Sequence, residues 1–251
     1  MTRPERQHLD PSAEPNRLVK DKRATDIRRM FNAIAPHYDV ANHVLSIGID
    51  RLWRRRARRE LCRMLAMPRP RILDVCCGTG DLSLELSLLG PVVGLDFARD
   101  MLALGRNKIA GGPANRRIDF LEGDGLALPV RDMSFDAATA AFGVRNFENL
   151  RTGLQEMARV LRIGGVLAIL EFSRPDWPII SAGFGFYFRR ILPLLGGLIT
   201  GHRSAYEYLP ASVESFIEPG RMMDELRVLG LKEVVARRLT GGVARLYLAR
   251  K

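Results

Sequence analysis

From residue 71 onward the chain alternates short apolar runs with amphipathic stretches. Residues 72–76, 92–95, 118–122, 135–142 and 166–172 carry the compact apolar pattern of buried strands. Between them, 81–89, 100–109 and 150–161 place apolar residues at helical spacing. Strand–helix alternation of this kind implies βαβ crossovers and a mainly parallel sheet. The tail breaks the pattern. After a helix over about 218–229, residues 231–239 and 243–249 read as strands joined through Gly241-Gly242. So short a connection makes them an antiparallel pair. The expected class is α/β and Rossmann-like: a mostly parallel sheet with a C-terminal antiparallel strand and helices on both faces.

The first part of the chain is different. Residues 1–20 are polar and contain proline, the composition of a loose chain end. Ile27, Met30, Phe31 and Ile34 then give helical spacing up to Pro36. A second helix runs from Arg51 to about Ala66, with Trp53, Ala57, Leu61 and Met64 as its apolar stripe. Leu52, Arg55, Arg56, Arg59 and Arg63 cannot all face a core alongside them. Pro68 and Pro70 separate these helices from the first strand. The expected division is therefore 1–68 and 69–251, with an apolar insertion at 175–205.

At 251 residues the chain can bury the core of one large α/β domain. Two autonomous domains are possible and not required. Lys and Arg number 39 against 28 Asp and Glu, a net charge of +11, and the arginine helix is the densest basic stretch. Its basic face can meet anionic lipid, meet nucleic-acid phosphates, or be simply solvated. No nucleic-acid module signature accompanies it, so no nucleic-acid partner is expected. Three cysteines make neither a disulfide framework nor a metal cluster. Cys62 reads as a small buried apolar residue of a reducing compartment, and no metal is expected. The stretch 1–15 has no apolar core of a secretory peptide, so the expected location is cytoplasmic.

Residues 177–200 are rich in Ile, Leu, Phe and Gly but are interrupted by Arg189-Arg190. Each apolar run is about ten residues, and a spanning helix needs about 20. The segment is expected to be a lid over an apolar substrate or a membrane-facing pair of short helices. The alternative is a helical core insertion.

The densest chemistry lies in Ile72-Leu-Asp-Val-Cys-Cys-Gly-Thr-Gly-Asp81. A strand ending in a glycine turn brings backbone N–H groups to a ligand at the carboxyl edge of a parallel sheet. A dinucleotide turn would carry a third glycine three positions after Gly80, where this chain has Ser83. Asp74 near the strand end suits a cationic amine better than a pyrophosphate. S-adenosylmethionine, whose methionyl ammonium and sulfonium are both positive, fits. Asp96 ends the next strand and can accept both ribose hydroxyls, or cap the following helix. Phe97 adjoins it, and Met101 and Leu102 lie where a ring can pack. Asp124, between Gly123 and Gly125, can accept an adenine amine or serve as a turn aspartate. Thr79 can offer its hydroxyl or shape the turn. The ordered set Asp74, Gly78, Gly80, Asp96 and Asp124 is far more specific than the glycine turn alone.

Several blocks then carry a family resemblance: Phe31-Asn-Ala-Ile-Ala-Pro-His-Tyr-Asp39 with Asn42, Leu45-Ser46 and Arg51-Leu-Trp-Arg54; Cys77-Gly-Thr-Gly-Asp81; Phe142-Gly-Val-Arg-Asn146; Arg159-Val-Leu-Arg-Ile-Gly-Gly165; Leu170-Glu-Phe-Ser173; Ala205-Tyr-Glu-Tyr-Leu-Pro210; and Leu239-Thr-Gly-Gly242. In these the chain resembles the quinone-biosynthesis C-methyltransferases over about residues 25–250, and the Phe-Gly-Val-Arg-Asn and Leu-Glu-Phe-Ser blocks are the most specific. The resemblance implies a class I methyltransferase fold and methyl transfer from S-adenosylmethionine to a ring carbon of a polyprenylated quinol. The first-ranked acceptor is demethylmenaquinol, with a methoxy-polyprenyl-benzoquinol as the alternative. It further implies that Thr79, Asp96, Asp124 and Gly125 contact the cofactor, as does the position of Ala141, where the family often has serine. Asp50 stands where histidine is frequent, and Ile163 where proline is usual.

A ring carbon becomes strongly nucleophilic once a ring hydroxyl loses its proton, so the site must favour the phenolate, align the carbon and exclude water. Arg145 is the candidate to stabilise phenolate charge or orient a water that takes the proton; arginine stays protonated and is no simple base. Tyr38, His37 and Asp39 are candidates to orient the quinol. His37 has the best intrinsic pKa for a base, or is a surface histidine. Asn146 can bond the ring oxygen or its own turn. Glu171 is placed at a strand end opposite the site. The prenyl tail would account for the apolar insertion and for transient contact with the inner face of the cell membrane. Self-association is open. The rivals are a methyltransferase on another small molecule or RNA, a non-catalytic S-adenosylmethionine-binding partner, and a nicotinamide oxidoreductase.

Overall fold

In the computed structural model, residues 18–19, 21–110, 117–177 and 183–251 are described. The expected tail over 1–20 lies almost wholly outside them, as do residues 178–182 of the apolar insertion. Seven strands, β1 (Ile72–Val75), β2 (Val92–Asp96), β3 (Ile118–Glu122), β4 (Phe135–Ala141), β5 (Leu161–Phe172), β6 (Lys232–Leu239) and β7 (Ala244–Arg250), form one sheet in the order β3-β2-β1-β4-β5-β7-β6. β1 to β5 pair in parallel. β7 runs antiparallel to both β5 and β6, as the short Gly-Gly connection requires.

Side chains of one strand alternate between two buried layers. Leu73, Ala138, Leu167 and Tyr247 face one layer, closed by α6 (Leu150–Val160) and α9 (Pro219–Val228) through Leu154, Met157, Met222 and Leu226. Ile72, Ala137, Val166 and Leu248 face the other. That second layer is closed by the arginine helix α3 (Ile49–Leu65) and by α4 (Asp81–Leu86). Trp53, Ala57 and Leu61 are the buried stripe of α3, as the spacing requires. Its outward arginines meet carboxylates: Arg58 is 3.2 Å from Glu85, and Arg56 and Arg63 lie 2.8 and 3.0 Å from Glu60. Cys62, expected in the core, is exposed. It follows Leu61, which faces the sheet, and one residue is a 100° step around a helix.

One helix end and one strand start differ from the sequence pattern for one reason. Leu161 is already extended (φ −71°, ψ 138°), so α6 stops at Val160 and β5 starts five residues before the expected Val166. Lys251 Nζ donates to the carbonyls of Ala158, Arg159 and Leu161 at 2.7, 3.1 and 2.9 Å, which satisfies the helix end.

A third apolar cluster sits beyond the sheet, over the carboxyl ends of its strands. It joins α1 (Ala24–Ile34), α2 (Tyr38–Leu45), α5 (Arg99–Ala110), α7 (Leu192–Thr200) and α8 (Arg203–Glu214) through Ile34, Leu45, Met101, Leu192 and Tyr206. The apolar insertion divides its faces. Phe188, Leu192 and Gly196 are buried, whereas Phe186, Leu194 and Leu198 are exposed, Leu198 by 74%. One face of the segment is thus packed as in a core insertion and the other is open to solvent. Among the described residues no helix is long and apolar enough to cross a membrane.

Candidate functional site

The site is built where parallel strands end and the chain reverses. After β1 the backbone enters the left-handed region at Cys76 (φ +55°), Gly78 (φ +56°) and Gly80 (φ +84°). At Gly80 a Cβ would also lie 2.8 Å from the Phe120 ring, so both the turn and its packing demand glycine. Asp96 at the end of β2 accepts from Gly78 N–H and Ala98 N–H, each at 2.8 Å. It therefore caps a helix start and ties down the turn with one carboxylate. Burial pushes its carboxyl up to about 6, against those backbone hydrogen bonds.

Asp74 is completely buried. It accepts from Ser83 Oγ at 2.6 Å and from Thr139 Oγ1 at 2.9 Å, and burial likewise pushes it up to about 6. The expected open carboxylate beside the turn is thus a hydroxyl-bound one at its base, bordering a small side cavity shared with Arg54 and Asp81. Ser83, the residue that breaks the dinucleotide pattern, is what holds it. Burial raises the Cys76 and Cys77 thiols well above their ordinary values, so neither presents a thiolate.

Two cavities adjoin at this edge. The first, of about 720 Å³, is bordered by Gly78, Asp96, Phe97, Met101, Asp124, Gly125, Ala141 and Asn146. Asp124 is exposed and accepts from Leu126 N–H at 2.9 Å, so it shapes its own turn while facing the cavity. The second, of about 1240 Å³, is walled mainly by aromatic and aliphatic side chains and contains Arg145. Phe31, Tyr38 and Phe142 border both. They are the partition. Phe142 stacks on Phe172 with ring centroids 4.5 Å apart, and its φ of +59° is unusual for a bulky residue.

Arg145 is buried and heavily engaged. Its guanidinium donates to Glu171 Oε1 at 3.0 Å, to Ser212 Oγ at 3.3 Å and to the Phe142 carbonyl, and it lies 5.7 Å from the Phe172 ring centroid. Glu171 also accepts from Arg145 N–H at 3.3 Å. Glu171, read from the sequence as a structural residue or one supporting the site from behind, is the direct partner of Arg145, because β5 ends beside the turn that follows β4. Burial pushes its carboxyl up and the guanidinium pulls it down, burial being the larger effect. Tyr38 has its phenol raised by burial, against the pull of Arg145. Asn146 faces the first cavity and accepts from the Tyr208 hydroxyl of the second at 3.0 Å.

Two expected site residues are placed elsewhere. His37 is exposed and borders neither cavity, because the short 3-10 turn Ala35–His37 points it outward. Asp39 pairs with Lys108 and accepts from the Thr79 hydroxyl. It locks α2 to the glycine turn instead of facing an acceptor. Thr79, tied to Asp39 and 3.1 Å from Lys108, borders the side cavity. His43, Asp50 and Asp81 approach one another at a spacing a metal could use. Arg54 and Lys108 already supply their positive charge, Lys108 at 2.8 Å from Asp81.

Sequence reasoning missed Lys22, Phe147 and Glu148 in the first cavity, and Tyr208 in the second stood in a family block without an assigned role. Phe31 and Phe142 stood in the family blocks but carried no assigned role. Phe147 is fixed by neighbouring glycines: a Cβ at Gly153 or Gly125 would lie 2.3 or 2.7 Å from its ring.

Comparison with known proteins gives a consistent result. The ubiE/COQ5 methyltransferase family model matches residues 17–251. The demethylmenaquinone methyltransferase of Deinococcus radiodurans is 45% identical over 245 residues, covering 96% of this chain and 99% of that one. The ubiquinone/menaquinone biosynthesis C-methyltransferase UbiE of Geotalea uraniireducens is 41% identical over 229 residues, covering 90% and 96%. Among solved structures, a SAM-dependent methyltransferase of Thermotoga maritima superposes with a TM-score of 0.61 at 18% identity, covering 89% of this chain and 98% of the other. The fold is the class I methyltransferase fold, and its cofactor is S-adenosylmethionine. The first cavity fits that group in its chemistry: Asp96 and Asp124, acids at the ends of adjacent strands, stand at its edge beside the glycine turn, with Phe97 and Met101 to pack a ring.

Proposed function

The chain belongs to the ubiE/COQ5 methyltransferase family, and from that membership we propose that it methylates a ring carbon of a prenylated quinol, with demethylmenaquinol as the acceptor. The observation that carries this reading is the shared wall of Phe31, Tyr38 and Phe142 between an acid-edged cavity beside the glycine turn and a larger, mainly apolar cavity bordered by Arg145 and Arg54. S-adenosylmethionine supplies an electrophilic methyl group when bound. Gly78, Asp96, Phe97, Met101, Asp124, Gly125 and Ala141 hold it, with Asp74, Thr79 and Gly80 shaping the turn beneath.

The chain's residues do the rest. Arg145 sits where a ring oxygen entering the apolar cavity can receive its charge, and its bond to Glu171 keeps the guanidinium from turning away. This favours the phenolate over the phenol and raises the nucleophilicity of the ring carbon. Tyr38 stays protonated and orients the acceptor by donating a hydrogen bond. Asn146, held by Tyr208, positions the same edge. With His37 on the surface and Asp39 paired, the proton passes to a water oriented by Arg145. Trp53, Phe142 and Phe172 exclude bulk solvent from the ring.

The prenyl tail needs an apolar exit. Val40, Val44 and Ile47 at and beyond α2 and Leu194 and Leu198 on α7 are exposed, while Leu45, Ile47 and Leu192 border the second cavity. This apolar rim, with Arg189 and Arg203 nearby in the chain and exposed, supports transient contact with the inner face of the cell membrane. The name of the Deinococcus relative favours the naphthoquinol; that of the Geotalea relative admits both acceptors.

The test is direct. Purified protein, S-adenosylmethionine and chemically reduced demethylmenaquinone are incubated and the quinol products are weighed by mass spectrometry, beside a parallel arm with 2-methoxy-6-polyprenyl-1,4-benzoquinol. The reading expects a gain of one methyl on the naphthoquinol at the higher turnover. Absence of methylation on both acceptors would sink it, and a faster benzoquinol arm would transfer it to the alternative.

A further inference from the structure

The first cavity has four charged residues on its border: Asp96, Asp124, Glu148 and Lys22. Three are acidic. Lys22 is the lone cation among its described lining residues, and it comes from the segment just before α1, outside the strand–turn–helix units that supply the acids. Its backbone is left-handed (φ +38°), a conformation that costs energy for a lysine and persists only when the surroundings hold it. Its N–H donates to the Leu18 carbonyl at 2.9 Å. The Nζ donates to the main-chain carbonyl of Arg145 at 2.8 Å. An ammonium has three protons to give, and this bond uses one. Among the described residues no carboxylate is bonded to it. Burial, the neighbouring Arg145 guanidinium adding to it, holds its amine below the ordinary lysine value. Glu171 attracts the ammonium from a distance without bonding it, so the cavity maintains a partly desolvated cation that no described carboxylate bonds.

S-adenosylmethionine carries two positive centres and one negative centre, the methionyl carboxylate. We propose that Lys22 is the residue that binds this carboxylate, its ammonium bridging the carboxylate and the Arg145 carbonyl. A partly desolvated cation with protons left to give gains most from the ligand's only anion, and charge-assisted hydrogen bonds of this type are about twice as strong as neutral ones. The inference rests on the cofactor alone and stands or falls independently of which acceptor is methylated. It also gives residues before α1 a role in cofactor binding: they bring the cation in from outside the nucleotide fold.

The experiment compares three probes by titration calorimetry on the full chain: S-adenosylmethionine, its decarboxylated analogue, and 5′-methylthioadenosine, which lacks both carboxylate and ammonium. Wild-type protein is expected to bind the decarboxylated analogue about tenfold more weakly than the parent. Lys22→Met is expected to weaken the parent about tenfold and to leave the other two within about twofold, so that discrimination against the decarboxylated analogue disappears. Lys22→Arg should restore much of it. Equal losses for parent and decarboxylated analogue in Lys22→Met would show that Lys22 merely props the wall and would overturn the assignment. So would unchanged parent binding in the variant. The wild-type comparison does not depend on a variant folding, and equal wild-type affinities for parent and decarboxylated analogue also overturn it.

Discussion

The guanidinium of Arg145 and the carboxylate of Glu171 lie 3.0 Å apart, with side-chain exposures of 6% and 0%. Neither charge has bulk water to fall back on. Removing one partner of a buried pair leaves the other uncompensated, at a cost of about 3–5 kcal/mol, whereas replacing both with well-packed apolar residues is often neutral. Glu171→Ala is therefore expected to lower the denaturation midpoint strongly and to abolish turnover. The double substitution Arg145→Met with Glu171→Met should recover most of the stability and none of the activity. Chemical denaturation and product formation, measured on the same preparations, separate the two effects. An active double variant would remove Arg145 from the chemistry.

Ser83→Ala removes the hydroxyl that donates to Asp74 at 2.6 Å, and loss of a partner to a buried acceptor costs about 1–3 kcal/mol. The cost should depend on pH in a definite direction. Asp74 has a folded-state pKa of about 6, above its ordinary 3.8, so its contribution favours folding below the ordinary value and is lost as pH rises through about 6. Without the serine the carboxylate is still harder to ionise. The stability gap between variant and wild type should widen from about pH 5 to about pH 8. A constant gap would mean that Asp74 does not titrate there.

Asp96 is expected to make cofactor binding release protons. Its carboxyl is pushed up to about 6 by burial, and a ligand bearing two positive centres stabilises the ionised form and lowers that value. Near pH 6, S-adenosylmethionine binding should expel a fraction of a proton, and its affinity should fall as the pH is lowered further. At about pH 8 the release should vanish. Calorimetry in two buffers of different ionisation enthalpy reads the proton count directly; proton uptake near pH 6 would contradict the account.

Gly153→Ala tests how the cofactor wall is held. The added carbon would lie 2.3 Å from the Phe147 ring, which also covers Gly125. Because Phe147 borders the first cavity, the open space into which the ring can yield is that of the cofactor. Overpacking of this kind costs about 1–3 kcal/mol. Cofactor affinity is expected to fall alongside the loss of stability. A variant that loses stability and binds the cofactor normally would show that the ring shifts elsewhere.

Much of this was legible in the residues because each layer of the fold has its own period. Ile72, Leu73 and their counterparts on the other strands alternate into two buried faces. Trp53, Ala57 and Leu61 recur at helical spacing and face the sheet. The acidic strand ends Asp74 and Asp96 stood out because a charge that closes an apolar run must be solvated or engaged. What resisted reading depended on contacts between distant segments. Nothing local distinguishes Asp39, bound to Lys108 and Thr79, from an acid aimed at a substrate. His37 looked chemical by residue type, and only the outward turn at Ala35–His37 removes it. Lys22 sat in a charged run whose composition matches any solvated segment, and its chemistry comes from the Arg145 carbonyl 123 positions away. Cys62 followed residue-type averages, whereas its angle on the helix decided its exposure.

The acid edge of the nucleoside cavity has a consequence for the company this protein keeps. Most adenine nucleosides in a cell carry phosphates, and a cavity bordered by Asp96, Asp124 and Glu148 with a single lysine meets each added phosphate with repulsion. ATP and the reduced and oxidised nicotinamide dinucleotides offer the same base and ribose but the wrong sign of charge. A phosphorylated adenine nucleotide therefore meets an unfavourable charge at this edge, whereas a nucleoside with a cationic side arm does not.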